Sequence, residues 1–208
     1  MGIVNYSSED IIAVKAAAQA SAKVLQQLAD AVMPGMSTWH IDQLAAAFIN
    51  ETGGESAFLG YRGFPGQICI SVNEEVVHGI GRTDKIIEPG DLVSLDVGVK
   101  LNGYYGDNAL TVCVGKEAQG IAQQLLQVTE EALYAGIDQA IAGNFVYDVS
   151  AAIENVVRKA GFTIIRELCG HGCGKKLHEK PDIPNYTAGK RNRSAKLQKG
   201  MIICIEPM

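Results

Sequence analysis

The chain has 208 residues, 47% of them hydrophobic and 20% charged, with a formal charge of -5. That length suits one sizeable core or two half-domains sharing a sheet, and the composition excludes a disordered chain. An acidic balance excludes a general nucleic-acid binder, because phosphate binding rests on clustered Lys and Arg.

At the start, MGIVNYSSED carries neither the basic stretch nor the apolar core of a signal peptide, and no later apolar run reaches membrane length. Ser8, with Glu9 and Asp10 behind it, opens a helix along Ile11, Val14, Ala18, Leu25, Leu28 and Val32, which Pro34-Gly35 stops. Ser37 or Thr38 caps a second helix with Ile41, Leu44, Ala45 and Phe48 on its apolar face. Ile68 to Val72 reads as a strand, followed by the loop that holds His78.

Residues 88 to 113, EPGDLVSLDVGVKLNGYYGDNALTVC, read as two strands joined at Asn102-Gly103, a strong hairpin signal because both turn residues need positive φ. If Leu101 faces Tyr104, then Asp96 faces Ala109 and Asp107 faces Gly98. The two aspartates then share a face as diagonal neighbours. Val93, Leu95, Val97 and Val99 take the other face. The carboxylate face is either solvated or built around a cation, since neighbouring buried carboxylates repel.

The second half repeats the plan. A long helix over 117–141 runs through Ile121, Leu125, Val128, Leu133 and Ile137, and another through Val149, Ala152, Ile153, Val156 and Val157 closes at Gly161. Strands are expected at Phe162 to Ile165 and Met201 to Ile205. At a spacing of 108, Gly35 meets Gly143, Ile41 meets Val149 and Gly53 meets Gly161; at 110, Val93 meets Ile203 and Asp96 meets Glu206. Such a repeat predicts two related helix-helix-strand halves whose acids converge. The halves fall at 1–115 and 116–208 of a single catalytic domain.

His171 lies in Gly170-His171-Gly172-Cys173-Gly174, with His178 close behind. Carboxylates with a single imidazole suit Mn, Fe, Co or Zn, and two such ions would activate water and polarise a carbonyl. A thiolate zinc site from Cys169, His171 and Cys173 is the competing reading, although CxHxC lacks the usual pair spacing. His40 reads as an ordinary surface or core histidine. The basic run from Lys190 to Lys199 is either a solvated loop or a docking patch for an anionic partner. Five cysteines without a CxxC fit reduced thiols and a cytoplasmic location.

SVNEEVVHGI, LVSLDVGVKLNGYYGDNALTV, GHGCGKKLHEKPDIPNY and IEPM, in this order and spacing, closely resemble the methionine aminopeptidases of type I. The resemblance implies an α+β pita-bread (creatinase/aminopeptidase) fold, with two pseudo-symmetric halves around a central antiparallel sheet and a dinuclear metal centre. It implies an enzyme that removes the initiator methionine from nascent proteins whose second residue is small, by attack of a metal-bridging water. Asp96, Asp107, His171 and Glu206 would be metal ligands, with Asp107 bridging and Glu206 also handling the proton of the water. His178 would lie near the scissile carbonyl and His78 near the following amide, while Tyr61, Phe64 and Cys69 would line the methionine pocket. The expected partners are the N-terminal peptides of nascent polypeptides, with transient ribosome association and no membrane.

Leu177 and Cys173 depart locally from the family pattern, at positions usually aromatic and aliphatic. The family continues past EPM with a strand pair bearing another bridging glutamate, so the resemblance implies a C-terminally truncated fold with a weakened second metal site. The alternatives are a weak or inactive fragment that binds peptides or partners on the same scaffold, and a related Xaa-Pro peptidase.

Overall fold

The computed structural model describes residues 2–208. Two compact units divide them, Ile12–Ala118 and a second made of residues 2–11 with Gln119–Met208.

In the first unit, helices α1 (Ser8–Ala31, entering from the other unit) and α2 (Thr38–Glu51) are followed by β1 (Glu55–Ser56), β2 (Cys69–Val72), β3 (Leu92–Leu101) and β4 (Tyr104–Cys113). Helix α1 starts at Ser8, where its sequence signal places it, with the cap one residue before. Ser7 Oγ accepts the Asp10 N–H at 3.1 Å, and the Asp10 carboxylate accepts the Ser7 N–H at 3.2 Å, so Ser7 is the cap. Ser37 caps α2 by accepting the His40 N–H.

The strands form one antiparallel sheet, with β4 on one edge of β3 and β1 and β2 both on the other. Asn102 and Gly103 adopt φ of 52° and 84°, which only a turn of this hand accommodates. The register follows from that turn: Leu101 faces Tyr104, Asp96 faces Ala109 and Gly98 faces Asp107. Val93, Leu95, Val97 and Val99 are fully buried against Val24, Leu25 and Leu28 of α1 and Ile41, Ala45 and Ile49 of α2. Each such side chain contributes about 1.5–3 kcal/mol relative to exposure, and a one-residue slip would forfeit the whole set.

The second unit holds α3 (Gly120–Gln139), α4 (Val146–Lys159), β5 (Cys169–Gly172) and β6 (Glu179–Pro184). Strands β5 and β6 pair antiparallel, with an irregularity between His171 and Gly172. A smaller core gathers Ala132, Val146, Val149, Ile153 and Val157 with Ile183 and Leu197. Of the stripe expected to anchor α3, only Val128 is buried. Val128, Ala132 and Gly136 are buried, whereas Ile121, Leu125 and Ile137 are exposed.

Two expected strands are corrected. Phe162 to Ile165 forms no strand: Phe162 and Ile164 pack half-buried on the α4 cluster, and Ile165 N–H donates to the Met208 carbonyl. Met201 to Ile205 is extended beside β5 but carries only an isolated bridge between Gly172 and Ile203. The two bonds of that bridge run from Cys204 N–H to the His171 carbonyl and from Cys173 N–H to that of Ile202. Strands β5 and β6, which sequence patterning missed, are built from Cys-Gly-His-Gly and Glu-Lys-Pro-Asp-Ile-Pro, both poor in β-formers.

Candidate active site

The hairpin β3–β4 puts Asp96 and Asp107 on one face, with Cys69 of β2 directly opposite Asp96. Both aspartates are half-buried and Cys69 is buried, so this face is not a freely solvated one. Burial pushes the Cys69 thiol up, and the charges of Asp96 and Asp107 push it further, as does its hydrogen bond to Asp96. Burial and these carboxylates favour the neutral thiol, which presents a wall to this face.

His78 stands beside this sheet at a φ of 60°, an uncommon backbone conformation for a residue other than glycine. Its neighbour Gly79 fixes the loop: the Gly79 carbonyl accepts from Ile70 N–H at 2.9 Å, and the Gly79 N–H donates to Ser71 Oγ at 3.1 Å. A side chain at Gly79 would overlap the Ile70 backbone, so the approach that aims His78 requires glycine. Tyr61 and Phe64 lie half-buried on the loop before β2.

In the second unit β5 delivers His171, which is 6% exposed. Its Nδ1 lies 2.8 Å from the Gly172 carbonyl oxygen, which can only accept, so Nδ1 carries a proton. Nε2 therefore presents either its lone pair or a second proton to Glu206 Oε1, 3.3 Å away. A donor nitrogen fixed by a backbone carbonyl and aimed beside a carboxylate is the arrangement a metal-binding histidine takes. It also disfavours the cysteine-rich zinc reading, since the Nε2 of His171 faces Glu206. The Glu206 backbone carbonyl accepts from Asn185 Nδ2 at 2.6 Å, and Asn185 is fully buried.

His178 is exposed at the entry to β6, with its ring centroid 4.2 Å from that of His171. The turn that carries it is held by Tyr6, whose hydroxyl donates to Glu179 at 2.7 Å and accepts from Lys175 N–H at 2.8 Å. Burial is the main reason the Tyr6 hydroxyl is pushed up to about 12, with the Glu179 carboxylate adding to it, so it remains a donor across the ordinary pH range. Leu177 and Cys173, the two local departures, are both buried.

His171, His178 and Glu206 thus gather in the second unit, and Asp96, Asp107 and Cys69 on one sheet face of the first. His40 is exposed on α2. In the basic run, Arg191 is committed to Asp148 through two 2.6 Å contacts and stacks over Phe145. Asp42 escaped notice in the sequence, although it interrupts the buried stripe Thr38, Ile41, Ala45, Ile49 of α2 and is itself 6% exposed. An acid inside a helix's apolar stripe was the available signal.

The profile described as metallopeptidase family M24 matches residues 13–208. A methionine aminopeptidase of Aquifex aeolicus is 41% identical over 214 aligned residues, spanning 100% of this chain and 83% of that protein. Methionine aminopeptidase 1 of Bacillus subtilis is 45% identical over 88% of this chain and 72% of its own length. The crystal structure of a methionine aminopeptidase from Thermotoga maritima superimposes with a TM-score of 0.94 at 38% identity, covering 99% of this chain and 82% of that one.

Proposed function

The chain belongs to metallopeptidase family M24, a family of hydrolases that use divalent metal, and from that premise we propose that it removes N-terminal methionine from polypeptides whose second residue is small. The observation that carries the reading furthest is His171, with Nδ1 spent on the Gly172 carbonyl and Nε2 turned to Glu206.

In this reading residues 1–208 work as one catalytic domain, in which Asp96, Asp107, His171 and Glu206 would hold two divalent ions. The donor set fits: three carboxylates and one imidazole are the hard and borderline ligands that Mn, Fe, Co and Zn accept. When bound, such ions bring the pKa of water toward neutrality and polarise a carbonyl. The rest falls to the protein. Glu206 takes the proton of the attacking water and passes it to the departing amine nitrogen as the peptide C–N bond breaks, His178 donates to the scissile carbonyl oxygen, and His78 contacts the following amide. A positioned group of this kind contributes about 10²- to 10⁴-fold. Tyr61, Phe64 and Cys69 enclose the methionine side chain, for which an apolar wall with a protonated thiol suits a polarisable thioether.

The substrates would be the N-terminal peptides of nascent chains in the cytoplasm, met during transient association with the ribosome. No helix among the described residues is long and apolar enough to cross a membrane.

The test is to offer Met-Gly-Met, Leu-Gly-Met and Ala-Pro-Met to the metal-loaded protein and measure the released amino acid. Free methionine from the first alone is expected. Preferential cleavage before proline would support an Xaa-Pro peptidase instead, and binding of Met-Gly-Met without hydrolysis would support a binding module.

A further inference from the structure

Asp42 is a buried carboxylate to which the proposed chemistry gives no part. It projects from α2 toward the loop before β2, where its Oδ1 accepts the Gln67 N–H at 2.7 Å and the Ile68 N–H at 3.3 Å. The fit is close: a Cβ at Gly66 would sit 3.1 Å from Asp42 Oδ1, and one at Gly81 would sit 3.0 Å from Asp42 Cβ. Gln67 is gripped from its other side as well, because its carbonyl accepts from Ser56 Oγ at 2.6 Å. The same Ser56 oxygen accepts the N–H groups of Phe58 and Leu59. One turn earlier on α2, Thr38 Oγ1 accepts the Arg82 N–H at 2.9 Å, which ties down the far end of the loop holding His78.

Helix α2 therefore grips two segments with one face, and Asp42 is its contact with the segment that bears Tyr61 and Phe64 and runs into Cys69. Burying a carboxylate is costly unless hydrogen bonds compensate. Burial raises the Asp42 carboxyl, and the two amides offset that only in part. An apolar residue would fill this place more cheaply if packing were the only demand.

We propose that Asp42 is a positioning residue for recognition of the substrate's N-terminal side chain, acting through the Gln67–Ile68 backbone on the pocket formed by Tyr61, Phe64 and Cys69. The inference rests on the aminopeptidase reading above. Asp42 touches no reacting atom, so its removal acts on substrate fit more than on the chemical step.

The experiment uses the full metal-loaded chain and the variants Asp42→Ala, Asp42→Asn and Ser56→Ala, with Met-Gly-Met and its norleucine counterpart as substrates. Asp42→Ala is expected to raise KM about tenfold with kcat little changed, and to narrow the preference for methionine. Amide exchange at Gln67 and Ile68 should accelerate in parallel. Asp42→Asn keeps an accepting oxygen and should restore KM to within about threefold of the parent. Should Asp42→Ala not fold, Ser56→Ala loosens the same peptide unit from its carbonyl side and should raise KM by a smaller factor. Faster exchange at Gln67 and Ile68 with an unchanged KM would overturn the positioning role, as would a loss of kcat that follows only the folded fraction. No methionine release by the unaltered protein would instead overturn the functional reading, and the pocket assignment with it.

Discussion

The two units solve the same problem by different means. In Ile12–Ala118, the ten-residue strands β3 and β4 hold Asp96 and Asp107, and the positions follow from an unbroken register over a large shared core. In the other unit, His171, His178 and Glu206 sit on a four-residue strand, a turn and an extended segment above a smaller cluster. Here individual tethers do the positioning: Tyr6 on Glu179, Glu179 on Lys176 N–H, and Asn185 on the Glu206 carbonyl. A ladder spreads its constraint over many bonds, whereas a tether concentrates it in one. The first unit should therefore yield to changes in packing, and the second to the loss of single polar atoms.

The sharpest separation of chemistry from support is His178→Ala. The ring is exposed and adds little to packing, so kcat for Met-Gly-Met should fall about 10²- to 10⁴-fold with the melting temperature nearly unchanged. A melting temperature that drops with activity would make His178 structural.

Packing comes next in size. Leu95→Ala, in the middle of the first unit's core, should cost near the top of the ~2–5 kcal/mol range for such truncations in urea unfolding. Ile183→Ala should cost nearer the bottom, because its cluster is smaller and is flanked by half-buried side chains such as Phe162 and Ile164 that have room to adjust. Equal losses would remove the contrast between the units.

Tyr6→Phe tests a tether. It keeps the ring but leaves the Lys175 N–H and Glu179 without their hydroxyl partner, at a cost of about 1–3 kcal/mol. Turnover should fall by more than this stability loss explains, because the turn bearing His178 loosens. The corresponding loss of one polar contact in the first unit, Ser94→Ala opposite Thr111, should leave turnover alone.

Glu154 gives the second unit a pH dependence. Burial alone would raise the Glu154 carboxyl, but hydrogen bonds from Thr187 and Arg158 overcome it and hold the group at about 2, against an ordinary value of 4.5. Its folded-state pKa is depressed, so its contribution is complete above pH 4.5 and disappears as pH falls toward about 2. Glu154→Gln should thus be less stable than the parent at neutral pH, with the gap closing over that acid range in a series of denaturant titrations.

The same contrast governs what could be read from the residues. Asn102-Gly103 and strict alternation fixed which face Asp96 and Asp107 share, because a turn of known hand leaves one register that buries Val93, Leu95, Val97 and Val99. Nothing comparable marks β5 and β6. Glycine carries no side chain to reveal a face, and Pro181 and Pro184 mask the alternation of buried Pro181 and Ile183 with exposed Lys180 and Asp182. Met201 to Ile205 reads as a strand by composition, yet it pairs through a single bridge, and pairing is not encoded in composition. On α3, Val128 of the apolar stripe is buried but Ile121, Leu125 and Ile137 are not, because small Ala132 and Gly136 allow the close packing. Gly136 lies so near Ile153 that an added Cβ would stand 2.9 Å from it. Asp42 stayed hidden because its partners are backbone amides 25 and 26 positions away, which composition does not encode.

The most direct test strips the protein of metal with a chelator and follows methionine release from Met-Gly-Met as Mn, Fe, Co or Zn is returned, with metal bound per chain measured alongside for Asp107→Asn and Glu206→Gln. The account predicts no release from the stripped protein, recovery with a divalent ion, and loss of both metal uptake and recovery in the two variants. Undiminished hydrolysis by the stripped protein, or full uptake and activity in both variants, would contradict it.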